Sequence, residues 1–172
     1  MSDQSETDRH ADEIQIVTEL HHILRPLEEL EEKMRHFYEH CREQFHEDAE
    51  ASAVFARLAF EERSHVAQVQ YLRRVVDRNK ESMAPVELDL KELEFELVRL
   101  QSAIPALHQM SLMDVLEFAL ACERGAAELH SRAAIVEANP SLAELLRSLG
   151  QADRVHIARL EKFLEVRRTS TP

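Results

Sequence analysis

Four stretches of the chain carry apolar residues in alternating steps of three and four, and each of these seams is broken near its middle by an acidic residue. Such steps mark one face of an α-helix. In the first stretch, about Asp12 to Phe45, the seam reads Leu20, Leu24, Leu27, Glu31, Met34, Tyr38, Cys41, Phe45. The second reads Phe55, Leu58, Glu62, His65, Val69, Leu72, Val76. The third, about Ser111 to Glu137, reads Leu112, Leu116, Ala119, Glu123, Ala126, His130, Ala133, and the last reads Leu142, Leu146, Leu149, Asp153, His156, Leu160, Phe163. Burying an unpaired charge costs several kcal/mol or forces the group neutral. Four helices with this pattern point either to a common partner for their acids, such as cations, or to a hydrogen-bonded polar layer that fixes helix register without metal.

Composition agrees with helices. The chain has two glycines, five prolines and no tryptophan, with 44% apolar and 31% charged residues, which disfavours sheets and predicts an all-α fold. Its 172 residues suffice for one domain with a sizeable core. Residues 1–10, rich in Ser, Asp and Glu, read as a disordered tail, and 11–168 as a single helical domain. Pro26 lies inside the first helix and predicts a kink. Turns are expected around His46 to Glu50 and at Asn139-Pro140-Ser141, with a stop marked by Asn79 and Pro85. Ser111 with Asp114 three residues on is a variant capping box. Between the two hairpins, a helical segment at about 86–108, broken by Pro105, serves as a crossover.

A formal net charge of -12 argues against nucleic acid as a partner, because a phosphate backbone is held by basic surface. Cys41 and Cys122 form no C-x-x-C pair and imply no disulfide framework. No basic n-region precedes an apolar run at the N-terminus, and no run approaches membrane-spanning length. A cytoplasmic protein without membrane association is the expectation.

The halves repeat. Glu31 and Glu123 are 92 positions apart, as are Tyr38 and His130, while Glu62 to Asp153 and His65 to His156 are each 91. In an antiparallel hairpin, residues equidistant from the turn lie side by side, since both helices rise about 1.5 Å per residue. The midpoints fall near Glu47 and at Asn139, both in expected turns, so Glu31, Glu62, His65, Glu123, Asp153 and His156 are predicted to meet at one level. Two divalent ions would neutralise the four carboxylates. Oxygen-rich ligation with some imidazole suits iron or manganese, and the lack of cysteine at these positions argues against structural zinc. One Glu from each of two helices and a Glu-x-x-His from each of the other two is the ligand arrangement of dinuclear carboxylate bundles, with Asp153 in place of the second such Glu here.

The segments "LEELEEKMRHFYEH" (27–40), "FEERSH" (60–65), "ALACERGAAELH" (119–130) and "GQADRVH" (150–156) resemble the motifs of the ferritin-like proteins, and within them the rubrerythrins, over roughly residues 15–166. The resemblance implies a ferritin-like four-helix bundle of two hairpins, holding two iron ions, with manganese as the other candidate. It implies Glu31 and Glu123 as carboxylate ligands, Glu62 and Asp153 as bridging or terminal carboxylates, and His65 and His156 as terminal nitrogen ligands. Tyr38 and His130 are the candidates for a catalytic role. Asp153 stands where the family has Glu, His130 where it has tyrosine, and Ala126 where rubrerythrins carry a further glutamate. Without a C-x-x-C pair for a rubredoxin domain, electrons would come from a separate donor protein.

The expected activity is rubrerythrin-type reduction of hydrogen peroxide or dioxygen. A ferroxidase, with Fe(II) itself as substrate, is the alternative at the same site, and a non-enzymatic interaction or phosphotransfer module is a third reading. A homodimer or larger homo-oligomer is expected. Tyr38 alone reads first as a buried tyrosine with one satisfied hydroxyl, whereas His130 reads equally as a core histidine or a site participant. Cys41 and Cys122 read as small hydrophobes. His21, His22, His36, His40 and His46 fit solvated faces.

Overall fold

A computed structural model describes residues 17–18, 20–78, 86–87, 90–133 and 140–170. The fold is all-α. Helix α1 spans Leu20–Gln44, α2 Ala49–Arg78, α3 Lys91–Ala103, α4 Leu112–Ala133 and α5 Pro140–Ser170, with a 3-10 helix at Ile104–Gln109 between α3 and α4. The disordered-tail expectation for 1–10, the stop at Asn79 and Pro85, and Asn139 of the second turn all fall outside the described residues.

Two boundaries differ from expectation. Val17–Thr18 (β1) is extended rather than helical and pairs antiparallel with Val86–Glu87 (β2), Val17 opposite Glu87. "IQIVT" (14–18) holds four β-branched residues in five, and such residues favour extended backbone. The first helix thus starts at Leu20, not near Asp12, and the crossover helix starts at Lys91 rather than near 86. At the other end, the crossover tightens into the 3-10 helix where Pro105 removes an N–H from the α-helical ladder. Gln44 Nε2 donates to the carbonyls of Leu107 (2.7 Å) and Met110 (3.2 Å), fastening this segment to the end of α1. Helix α1 runs continuously through Pro26.

Local signals set the helix starts. Asp48 Oδ1 accepts the Ala51 N–H at 3.0 Å and caps α2, while Ser111 and Asp114 exchange reciprocal bonds at the start of α4. Pro140 opens α5, where its missing N–H is no loss.

Cross-helix pairs fix the directions. Glu28 meets Arg73 and Tyr38 stacks near Phe55, so α1 and α2 run antiparallel. Glu117 meets Arg168, Arg124 meets Glu161 and His130 meets Asp153, so α4 and α5 do the same. Asp48 with Arg167, Glu61 with Arg159 and Gln68 with Ser148 align α2 against α5. Helix α3 lies against α1 and α4.

The core falls into two apolar clusters. One gathers Leu30, Phe37, Phe55, Leu58, Leu116 and Leu160 with their neighbours, and the other gathers Ile23, Leu27, Val69, Leu72, Leu146 and Leu149. Along α2 and α5 the interrupting acids and histidines lie between these clusters. No described helix is long and apolar enough to cross a membrane.

Candidate metal centre

Glu31, Glu62, His65, Glu123, His130, Asp153 and His156 are all buried, as is Tyr38. Periodicity explains their burial, since each occupies a seam position that helix geometry turns inward. The turn between α1 and α2 contains Glu47, so Glu31 meets Glu62 and His65 at one level, as equal helical rise requires.

Glu62 stands in the middle. Its Oε2 lies 3.0 Å from His65 Nδ1 and its Oε1 lies 3.1 Å from His156 Nδ1. Glu31 Oε2 is 3.3 Å from His65 Nδ1, and Glu123 Oε1 is 3.2 Å from His156 Nδ1. Two donor groups result, Glu31–Glu62–His65 and Glu62–Glu123–His156, and within each the candidate ligand atoms lie within 4.8 Å of one another. Both groups could hold a metal ion, and Glu62 is common to them. The rings of His65 and His156 stack with centroids 5.4 Å apart.

Asp153 belongs to neither group. Its Oδ2 lies 2.7 Å from His130 Nδ1, whose other nitrogen, Nε2, is 3.4 Å from Glu31 Oε1. Tyr38 donates its hydroxyl proton to Glu123 Oε1 at 2.5 Å. The two residues singled out beside the ligands, Tyr38 and His130, are therefore in contact with the cluster, each on an acid of the opposite hairpin.

Burial works against charge on every one of these groups, and their neighbours decide the outcome. Burial opposes the charged form of His65, but the bonds to Glu31 and Glu62 outweigh it and carry its pKa up to about 11. His130, facing Asp153 and Glu31, and His156, facing Glu123 and Glu62, are raised against the same opposition to about 10. Glu31 resists its burial through His130 and His65 and falls well below the carboxylate range. Burial dominates at Glu123 and pushes it up to about 7, and burial likewise raises Asp153 despite its bond to His130. Tyr38 is held well above the usual phenol range, by burial first and then by the charges of Glu123 and Glu62, so it keeps its proton.

Two buried atoms of this cluster, Glu123 Oε2 and His130 Nε2, have no hydrogen-bond partner. A carboxylate oxygen offers lone pairs, as does an imidazole nitrogen once its proton is released, and leaving such atoms buried and unpaired is costly. A cation among the carboxylates would satisfy them, so the residues present fit a metal.

Glu61 is a participant that the seams did not reveal. Its Oε2 lies 3.2 Å from His156 Nε2, and Arg159 holds the same carboxylate at 2.5 Å, with Arg57 on its other side. Burial would raise the pKa of Glu61, but the bonds from Arg159 and Arg57 lower it. A carboxylate on the far nitrogen orients an imidazole and fixes which nitrogen faces a metal. The signal was present in Arg57, one turn before Glu61, and in Arg159, three residues after His156.

Both glycines mark close approaches. A Cβ on Gly125 would lie 2.4 Å from Oε1 of Glu96, a buried carboxylate of the crossover helix, and one on Gly150 would lie 3.2 Å from His130 Cβ. Cys41 and Cys122 are free and buried, and burial pushes the Cys122 thiol up to about 12. Ala126 is buried and offers no ligand. His22, His36, His40 and His46 are exposed, and the side chain of His21 lies outside the described residues.

Compared with protein-family models, curated proteins and solved structures, the chain matches none. Function is therefore read from the geometry of the site.

Proposed function

We propose that the chain is a ferritin-like protein of rubrerythrin type, a four-helix bundle whose buried cluster holds two iron ions and reduces hydrogen peroxide or dioxygen. The observation that carries this reading is the sharing of Glu62 between two donor groups, each completed by its own glutamate and its own histidine. Carboxylates with imidazole and no thiolate are donors for iron or manganese. When bound, two ferrous ions supply two electrons, which with two protons convert one hydrogen peroxide into two waters.

The residues divide the work. Glu31 and His65 would hold a metal on one side, Glu123 and His156 on the other, and Glu62 has an oxygen to offer each. Glu61, anchored by Arg159, fixes the ring of His156. Tyr38 keeps a proton at its hydroxyl against Glu123 Oε1, where it steadies that carboxylate. The apolar clusters on either side keep bulk water from the centre. Electrons to reset the centre come from a separate donor protein.

The ligand side chains are all nearly inaccessible, which favours metal retained through turnover over Fe(II) taken up as substrate and released by a ferroxidase. Burial of His65, His130 and His156 takes these three out of phosphotransfer, which needs an exposed histidine.

The test is metal per chain by mass spectrometry after anaerobic Fe(II) loading and desalting, followed by rapid-mixing oxidation with peroxide and with dioxygen. Two retained irons, oxidised faster by peroxide and not released, are the expected result. Iron that is oxidised and then leaves the protein identifies a ferroxidase. A wild-type chain that retains no metal overturns the reading.

A further inference from the structure

On the dinuclear reading, the counterpart of Glu62 in the second hairpin should be Asp153, yet the two carboxylates do different things. Glu62 offers one oxygen to each donor group, while Asp153 Oδ2 is engaged by His130 Nδ1 at 2.7 Å. We propose that His130, through Nε2, is a metal ligand beside Glu31, Glu62 and His65, and that Asp153 is a positioning residue acting through His130.

Four observations converge. His130 is fully inaccessible, and its Nε2 has no hydrogen-bond partner. With Asp153 on Nδ1, a neutral imidazole carries its proton there and leaves the Nε2 lone pair free, the tautomer that binds metals. That Nε2 lies 3.4 Å from Glu31 Oε1, while Glu31 Oε2 lies 3.3 Å from His65 Nδ1, so Glu31 sits between two imidazole nitrogens. Donors about 2.1 Å from a common ion and at right angles are roughly 3 Å apart, so each spacing suits an imidazole and a carboxylate oxygen on a shared metal; His130, like Asp153, stands outside the two compact donor groups, so its Nε2 must close on the metal held by Glu31. Finally, α5 comes so near α4 that a Cβ on Gly150 would lie 3.2 Å from His130 Cβ, so His130 stands where the two helices approach closely.

The resulting centre is asymmetric. One metal takes Glu31, His65 and His130 with one oxygen of Glu62, and the other takes Glu123 and His156 with the second oxygen of Glu62. The competing account keeps His130 as an imidazolium between Asp153 and Glu31, with Asp153 freed to ligate when metal arrives.

The experiment is a crystal structure of the wild-type chain loaded anaerobically with Fe(II), with the metals located by anomalous scattering at the iron edge. It is paired with metal stoichiometry and affinity for His130→Gln and Asp153→Asn. Iron about 2.1 Å from His130 Nε2, with Asp153 off the metal, is the expected result. In the variants, His130→Gln should keep one metal of two, whereas Asp153→Asn should keep both with affinity weakened about 10–100-fold. Iron ligated by Asp153, with His130 Nε2 uncoordinated, overturns the proposal, as does an Asp153→Asn chain that loses a metal while His130→Gln keeps both. If His130→Gln does not fold, the wild-type structure alone decides. Failure of the dinuclear reading itself is distinguishable, because then the wild-type chain binds no iron.

Discussion

In the first hairpin Glu31 and Glu62 both reach His65, whereas in the second Glu123 reaches His156 and Asp153 turns instead to His130. The cross-hairpin contacts are symmetric in placement, since Tyr38 of α1 bonds Glu123 of α4 and His130 of α4 faces Glu31 of α1. They differ in capacity. A phenol has one proton to donate and its bond goes to Glu123, but an imidazole has two nitrogens, and those of His130 face Asp153 and Glu31 separately. An aspartate, one methylene shorter than glutamate, ends at that imidazole. The two small changes are coupled, and they leave Glu62 as the one carboxylate that belongs to both donor groups.

The largest effect should come from the shared residue. Glu62→Ala removes a ligand from both groups, and iron per chain after anaerobic loading should fall from two to nearly none. Retention of one iron would show that Glu62 serves one side alone. Smaller, and diagnostic of the division between groups, are His65→Ala and His156→Ala, each expected to halve the iron content. If either one abolishes binding altogether, the two positions are not independent.

Acidity offers a third way to separate the states. His65, His130 and His156 hold their protons to about 11, 10 and 10 in the fold against an ordinary value of 6.5. For the metal-free protein this stabilisation is complete below about pH 6.5 and is lost as pH rises toward 10–11, because the unfolded chain gives up protons that the folded chain still holds. Metal requires neutral imidazoles, so loading should release protons and reverse the slope. Thermal melts from pH 6.5 to 10 should show Tm falling for metal-free protein and level or higher for the loaded form. Parallel profiles would remove these histidines from the ligand set.

Glu61→Gln tests the asymmetry behind His156. The variant should bind two irons with affinity about 10–100-fold weaker at the His156 side, as expected when an orienting carboxylate is lost. Unchanged affinity in a metal titration would reduce Glu61 to a surface ion pair with Arg159. The smallest change is Tyr38→Phe, which should retain both metals and lose about 1–3 kcal/mol of stability in denaturant unfolding, the worth of a buried bond to a charged group. Loss of metal from this variant would mean that the hydroxyl positions Glu123 as a ligand.

Much of the centre was legible in the sequence because helical periodicity is rigid. A seam of steps of three and four names the inward face, and a fixed rise per residue sets the level, so Glu31, Glu62, His65, Glu123, Asp153 and His156 could be brought together before any coordinates. The capping pair Ser111–Asp114 and the break at Pro105 were readable for equally local reasons. The start of α1 was not, because Val17–Thr18 takes its conformation from a pairing with Val86–Glu87, distant in the chain. Glu61 was hidden because it lies one position off the seam and reaches His156 only through the contact between α2 and α5.

By itself, the sequence determined the all-α class, the inward faces and the depth at which acids and histidines meet, since these follow from geometry within single helices. Only the tertiary structure decided that Glu62 joins the two groups, that Asp153 goes to His130, and that Glu61 stands behind His156. Those choices depend on the separation and rotation of neighbouring helices and on the reach of individual side chains, where one methylene or a glycine in the facing helix changes which oxygen finds which nitrogen.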